Sequence, residues 1–182
     1  MRRYVMTGEK SPLLRLAEGP IRAPSAGEVS VDIKATSLNY RDLVVATRGG
    51  GAVPLSDGAG VVSEVGARVV GVKAGDRVAI SFMPGWIEGP ITEAKKASAL
   101  GSLTVDGVLT ERIVVPAHAV VGIPDAMSFE EAATLPCAGV TAWSALFERR
   151  PVQPGETVLL LGTGGVSIFA LQLAKMAGAR VI

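Results

Sequence analysis

Residues 156–167 read ETVLLLGTGGVS, and this stretch decides the fold of the C-terminal part of the chain. Glu156 to Leu161 form an apolar-rich run, which is typical of a strand buried on both faces. The turn Gly162-Thr163-Gly164-Gly165 follows. A long amphipathic helix then runs to about Ala177, where Gly178 suits a C-cap. Residues 179–182 begin a second strand. The pattern predicts the first half of a βαβ unit.

The glycine turn has the features of a diphosphate-binding turn. Gly162 allows a sharp exit from the strand, and Gly164 lets the backbone approach a diphosphate without a Cβ in the way. The helix points free N–H groups and its positive dipole end at the same place. Ser167 stands where Gly or Ala is usual, a mild departure. We therefore predict dinucleotide binding by the following residues: Gly162, Thr163, Gly164, Gly165, Val166 and Ser167. The alternative is a structural turn in an unrelated α/β fold.

Residues 1 to about 125 have a different pattern, with short apolar stretches separated by Gly and Pro. Polar and apolar residues alternate in Glu28–Ala35, the period of a half-buried strand. Further strands are predicted at residues 58–65, 76–82, 109–115 and 120–123. Such strands favour a small barrel or sandwich. Residues 84–107 are interpreted as a long surface loop with one helical turn near Glu93–Ala97.

After Pro124 the pattern becomes helical. Ser128 and Glu131 have the spacing of a capping box, which predicts a helix that ends near Leu135-Pro136. A second helix is predicted from about Ala138 to Glu148. We therefore place the domain boundary between residues 1–124 and residues 125–182.

The composition excludes several classes of protein. Lys plus Arg number 18 and Asp plus Glu 17, so the net charge of +1 favours neither nucleic acid nor an anionic membrane surface. The single cysteine, Cys137, excludes an intrachain disulfide. No apolar stretch is long enough to span a membrane, and no signal peptide is recognised. We expect a cytoplasmic protein without a nucleic-acid or membrane partner.

Five segments together resemble the medium-chain dehydrogenases/reductases, in order and in spacing along nearly the whole chain. These are Ala35–Asp42, Asp57–Val62, Asp106–Glu111, Leu135–Trp143 and the glycine turn. The resemblance implies a GroES-like β-barrel of α+β type, followed by the start of an α/β Rossmann domain that is truncated at Ile182.

The metal question depends on three positions. Zinc-dependent members of this superfamily carry a Cys in the first segment, a His-Glu pair in the second and a Cys before the cofactor domain. Asn39, Ser56-Asp57 and Cys137 stand there in this chain. A catalytic zinc needs about three protein ligands, and Asn39 and Ser56 are poor ones. The sequence therefore resembles the zinc-free branch, which includes quinone oxidoreductases and enoyl reductases, and we expect no metal.

In that branch the cofactor supplies the hydride and the protein holds the acceptor over the nicotinamide. By resemblance, Asn39 borders nicotinamide and substrate, Tyr40 supplies a hydroxyl and Asp42 orients its neighbours. Thr141 packs against the nicotinamide. For Tyr40 a packed aromatic is an equal alternative, and Arg41 is interpreted as a surface charge.

The resemblance implies an NAD(P)H-dependent oxidoreductase that reduces a quinone or an α,β-unsaturated carbonyl, a homodimer in its full-length form. NADP(H) is favoured over NAD(H), although the position that reads the ribose lies at or beyond Ile182. Loss of the zinc ligands disfavours simple carbonyls, which benefit most from a Lewis acid. The alternatives are a zinc-independent alcohol or aldehyde dehydrogenase-like protein, a non-catalytic GroES-like interaction module, and an enoyl-reductase domain of a larger synthase.

The cofactor domain in this sequence has one complete strand, one helix and the beginning of another strand. A parallel pair of strands leaves its edges unpaired and its apolar faces uncovered. We expect the 182-residue chain alone to be marginally stable and catalytically poor.

Overall fold

The computed structural model describes all residues, 1–182, which form two compact units, Met1–Pro136 and Cys137–Ile182. The structural division lies later than the predicted boundary after residue 124, because the helix Phe129–Ala133 packs on strands of the first unit. The predicted boundary stays a prediction for the whole protein. None of the helices combines the length and the apolar character that a membrane-spanning segment needs.

The first unit is built on a five-stranded antiparallel sheet. Its strands, in spatial order, are β6 (Arg112–Pro116), β3 (Glu28–Ser37), β4 (Asp57–Val65), β5 (Arg77–Ile80) and β7 (Val120–Gly122). A hairpin of β1 (Arg2–Met6) and β2 (Leu14–Glu18) lies before it, paired from Arg2↔Glu18 to Met6↔Leu14. All five predicted strands are therefore confirmed, and the hairpin is an addition that the sequence patterns did not predict.

The alternation of apolar residues explains the two faces of the sheet. Buried side chains from four strands, two residues apart on three of them, point to one core, which also receives Leu55, Leu100 and Val108 from the loops. The strand residues are Val29, Val31, Val62, Val78, Ile80, Ile113 and Val115. The opposite face carries Ala59 and Ala79, and small side chains there admit a helix, α3 (Phe129–Ala133). The capping box predicted at its start is present: the Glu131 carboxylate accepts the Ser128 N–H at 2.8 Å.

Three further helical segments complete the first unit. They are α1 (Tyr40–Ala46), α2 (Glu93–Ala97) and a 3₁₀ turn at Ala117–Ala119. The helical turn predicted at Glu93–Ala97 is confirmed, and α1 was not predicted. Strand β6 begins three residues later than predicted. Its predicted first residues bond to the N-terminal strand instead, through Tyr4 N to Leu109 O and Glu111 N to Arg2 O.

The second unit begins with an unusual helix. A π-helical turn (Leu135–Gly139, which starts in the first unit), α4 (Val140–Trp143) and another π-helical segment (Ser144–Glu148) follow one another. The predicted helix from about Ala138 to Glu148 is therefore found, mostly with i to i+5 winding. After it come β8 (Thr157–Val158), α5 (Gly165–Met176) and β9 (Arg180–Val181), and β8 pairs with β9 in parallel.

One prediction about this unit is wrong for the chain as it stands. The run Glu156–Leu161 was predicted to be buried on both faces, yet Leu159 is 67% exposed and Leu161 is 82% exposed. A two-stranded sheet has no further strands beside it, and α5 is the one long helix of this unit, so Leu159 and Leu161 face solvent.

An ion pair at the start of β3 gives a pH-dependent prediction. Arg22 donates to both carboxylate oxygens of Glu28, at 2.5 and 2.7 Å, and the Ser25 N–H donates to Glu28 at 2.8 Å. These bonds, above all those from Arg22, lower the pKa of Glu28 to about 2 from its ordinary 4.5. A depressed pKa stabilises the fold above pH 4.5, and the stabilisation is lost as the pH falls towards 2.

We expect Glu28→Gln to lower the free energy of unfolding at pH 7 by about 1 kcal/mol, since Arg22 is largely exposed and screened. The deficit should shrink as the pH falls through 4.5 and vanish near 2. Urea unfolding at several pH values measures it, with the exposed Glu9→Gln as control. A deficit that stays constant with pH would contradict the assignment.

Candidate active site

The first predicted site segment lies at the N-terminus of α1. Asn39 has extended backbone angles and is the N-cap residue. The Asp42 carboxylate reaches back and accepts the Asn39 N–H at 2.7 Å, which closes a capping box. Strand β3 ends at Ser37, so Asn39 lies between the end of the strand and the beginning of the helix. The Asp42 carboxylate fixes the Asn39 backbone there.

The side chains of this segment have very different environments. The Asn39 Nδ2 atom is buried and has no hydrogen-bond partner in the protein. Because an unpaired buried donor costs about 1–3 kcal/mol, such a group is a candidate for binding a ligand acceptor. Tyr40 is 83% exposed, so it does not pack as a buried aromatic within this chain.

Asp42 is 7% exposed, and its electrostatics reflect that position. Burial raises the pKa of the Asp42 carboxyl above its ordinary value; the Asn39 N–H and the Arg41 guanidinium oppose this, and the nearby charge of Asp57 adds to it. Two buried carboxyl groups from different segments therefore interact.

The second predicted segment, Ser56-Asp57, is fully buried at the entry to β4. The Ser56 hydroxyl donates to the Asp57 carboxylate at 2.6 Å. Leu55, the residue before this segment, has φ +70°, a strained value for a residue other than glycine. Backbone strain of this kind is common where a segment is held for function.

Arg41 was interpreted as a surface charge, and this interpretation is wrong. Its side chain is 24% exposed, donates to Leu100 O at 3.2 Å and lies 3.3 Å from the Asp42 carboxylate. Its guanidinium also lies over the Phe82 ring, 4.7 Å from the centroid. Leu100 is far along the chain, so no local pattern could have revealed this contact.

The predicted cofactor residues lie in the second unit. Gly162 has φ +74° and makes the sharp exit from the strand side, as predicted. Gly164 is the N-cap of α5, and a Cβ built on it would meet no protein atom within 4 Å. The Ser167 hydroxyl donates to Leu161 O at 2.9 Å and ties the helix to the end of the apolar run. Residues 162–166 are exposed, and so is Thr141 in α4.

This turn fits a dinucleotide's diphosphate. The first N–H groups of a helix have no acceptor within it, and α5 is 12 residues long, with no acidic residue in its first turn. The open space at Gly164 would admit a phosphate close to the backbone. Residues 162–167 would therefore hold the diphosphate.

The donor set does not fit a catalytic zinc. No group of three or more His, Cys, Asp or Glu side chains that could hold a metal ion is present. Asn39 offers an amide, and the Ser56 hydroxyl is engaged with Asp57. Neither is a customary zinc ligand.

Comparison with known proteins identifies the family. Residues 25–125, more than half of the chain, match the family of the alcohol dehydrogenase GroES-like domain. The chain belongs to the medium-chain dehydrogenase/reductase family. It is an N-terminal portion with a GroES-like domain followed by the first part of a Rossmann domain, as the sequence predicted, and alcohol dehydrogenases are among the members it resembles.

Three relatives from this family illustrate its range. A zinc-type alcohol dehydrogenase-like protein of Schizosaccharomyces pombe is 47% identical over 98% of this chain and 55% of its own length. An NAD-dependent alcohol dehydrogenase structure is 34% identical, with a TM-score of 0.84, over 100% of this chain and 57% of its own. A quinone oxidoreductase from Pseudomonas syringae is 30% identical, with a TM-score of 0.78, over 99% of this chain and 51% of its own. The chain thus spans about half the length of these relatives.

Proposed function

We propose that the protein containing this chain transfers a hydride from a nicotinamide cofactor to a quinone or an α,β-unsaturated carbonyl, without zinc. The observation that carries the proposal is the Asn39 amide nitrogen, which is buried and without a protein partner where zinc-dependent members have a cysteine ligand. An amide N–H can stabilise the oxygen of an enolate or quinol as negative charge develops on it.

Each residue of the segment has a distinct part in this proposal. The Asn39 amide binds the acceptor oxygen, and Asp42 holds the Asn39 backbone through the 2.7 Å hydrogen bond. The exposed Tyr40 hydroxyl is the candidate to donate a proton near the acceptor. A bound nicotinamide supplies the hydride. Residues 162–167 grip the diphosphate, and Thr141 packs against the nicotinamide. NADPH is the favoured cofactor. In this proposal the whole protein is a homodimer.

The exposed glycine turn gives the first test of the proposal. The protein has no atom within 4 Å of a Cβ at Gly164, and its φ of −71° suits any residue. Gly164→Ala should therefore cost the fold under about 1 kcal/mol, and Gly164→Ser less, because serine is a good N-cap. A bound diphosphate would meet the added atoms. We expect at least ~10-fold weaker binding of NADPH, equivalent to about 1.4 kcal/mol.

The measurement is an NMR titration of the 182-residue chain with NADPH, which detects the weak binding that half a cofactor domain should give. The amides of residues 162–167 should shift, and both variants should reduce the shifts. Gly122→Ala, also in open space, is the matched control in the first unit. If NADPH leaves these amides unmoved, or if Gly164→Ser binds as well as the parent, cofactor binding at this turn is refuted.

The competing functions differ in their acceptors. A zinc-independent alcohol or aldehyde dehydrogenase-like protein would reduce an aldehyde as well as an enone. A non-catalytic interaction module would ignore nicotinamide cofactors altogether. Hydride-transfer assays with a quinone, an enone and an aldehyde, on a version extended to the length of its relatives, separate the three readings. Stoichiometric zinc in that version, found by elemental analysis, would overturn the zinc-free proposal.

A further inference from the structure

Residues 83–99, here named the 83–99 loop, form a preorganised excursion from the first unit. Its two ends meet where the Leu100 N–H donates to Phe82 O at 3.0 Å. Inside it, the Gly85 N–H donates to the Ser98 hydroxyl at 2.9 Å and the Trp86 indole N–H to Gly89 O at 2.8 Å. These bonds give the loop a fixed shape of its own.

Arg41 holds the base of the loop, where Phe82 and Leu100 meet, from the side of α1. Its guanidinium lies over the ring of Phe82 and donates to the carbonyl of Leu100, so the two residues that flank the loop both contact Arg41. The same nitrogen lies 3.3 Å from the Asp42 carboxylate, which accepts the Asn39 N–H. A continuous set of contacts therefore runs from Asn39 through Asp42 and Arg41 to the loop.

The residue after Leu100 extends these contacts to the other site segment. A Cβ built on Gly101 would lie 2.5 Å from Leu55 O, so the two backbones touch. Leu55 directly precedes Ser56 and Asp57, and its φ is strained. The end of the loop thus lies between α1, which Arg41 fastens to it, and the Leu55–Asp57 segment.

We propose that Arg41 is a positioning residue, which fixes the Asn39 amide by fastening α1 to the base of the 83–99 loop. It does not touch substrate itself. The proposal deepens the proposed function and rests on it for the role of Asn39. The placement of Asn39 can be tested without any ligand, so failure here and failure of the proposed function are distinguishable.

The test compares Arg41→Ala, Arg41→Lys and Phe82→Leu in the 182-residue chain, with the exposed Arg48→Ala as control. In Arg41→Ala, we expect amide hydrogen exchange at Gly85, Trp86 and Leu100 to accelerate at least ~10-fold, while amides of β3 and β4 keep their protection. The Asn39 side-chain amide resonances should shift or broaden. Arg41→Lys, which keeps the charge, should restore part of the exchange protection and part of the parent Asn39 resonances. Phe82→Leu should accelerate exchange in the loop.

A second readout follows the Asp42 carboxyl by NMR titration. The charged groups that face it are Arg41 and Asp57, so loss of Arg41 should raise the pKa of Asp42 further, and Arg41→Lys should bring it back towards the parent value. A merely structural role would lower protection throughout the unit and would show no rescue by lysine. That result, or unchanged Asn39 resonances and an unchanged Asp42 pKa in folded Arg41→Ala and Arg41→Lys, would overturn the proposal.

Discussion

Gly107→Ala is expected to lower the free energy of unfolding by about 3–4 kcal/mol, near the upper end for one added methyl group. A Cβ at Gly107 would stand 1.9 Å from Leu55 O and 2.5 Å from Pro54 O. Both neighbours are backbone atoms, which cannot rotate away as a side chain can. The chain must therefore move where the Val108 N–H donates to Leu55 O, directly before Ser56 and Asp57.

Thermal unfolding followed by circular dichroism measures this effect, with an expected fall of roughly 10 °C in the midpoint. Gly122→Ala is the matched control, because a Cβ there meets nothing within 4 Å and its φ is not in the left-handed region. It should change the stability by less than about 0.5 kcal/mol. Equal midpoints for the two variants would show that the close approach of Gly107 to Leu55 is not a feature of the molecule.

The strands of the five-stranded sheet were predictable because their apolar residues alternate and their ends carry Gly or Pro. The same holds for α3, where the capping pair Ser128 and Glu131 is local in sequence. The hairpin β1–β2 was missed because its first strand depends on partners beyond the hairpin, as in the bond from Tyr4 N to Leu109 O. Helix α1 has seven residues, too few for a clear helical period.

Burial in the second unit could not be predicted from the run Glu156–Leu161 alone. The pattern describes what a strand needs in a complete sheet, and β8 has one partner in this chain. The π-helical winding around α4 was equally hidden, since both helix types share similar apolar spacing. Local patterns therefore indicate which helices and strands form. How far their apolar side chains are buried depends on the number of strands and helices that pack against them.

The candidate site was likewise predictable only in part. Asn39, Ser56 and the glycine turn were found because they occupy places in recognisable segments. The unpartnered state of Asn39 Nδ2 and the burial of Arg41 depend on contacts across the unit, such as Arg41 with Leu100. Sequence therefore names candidate residues, whereas their chemical environment requires the structure.

Arg77→Ala is expected to be the second most damaging substitution, with a loss of about 3 kcal/mol of unfolding free energy. Arg77 lies on β5 and its guanidinium donates to three backbone carbonyls, Pro124 O at 3.1 Å, Asp125 O at 2.9 Å and Met127 O at 2.5 Å. It also lies over the Phe129 ring, 4.6 Å from the centroid. One side chain thus fastens the turn that leads into α3 to the sheet.

Arg77→Lys separates the charge from the planar shape. A lysine keeps the positive charge but cannot donate to three carbonyls and stack on the ring together, so it should lose about 2 kcal/mol. Arg15→Ala, an exposed position on β2, should cost less than about 0.5 kcal/mol and controls for loss of an arginine. Urea unfolding gives the three values. If Arg77→Lys were as stable as the parent, charge alone would account for Arg77. The packing of α3 on Ala59 and Ala79 would then have to hold the 124–129 turn without the hydrogen bonds and ring contact of Arg77.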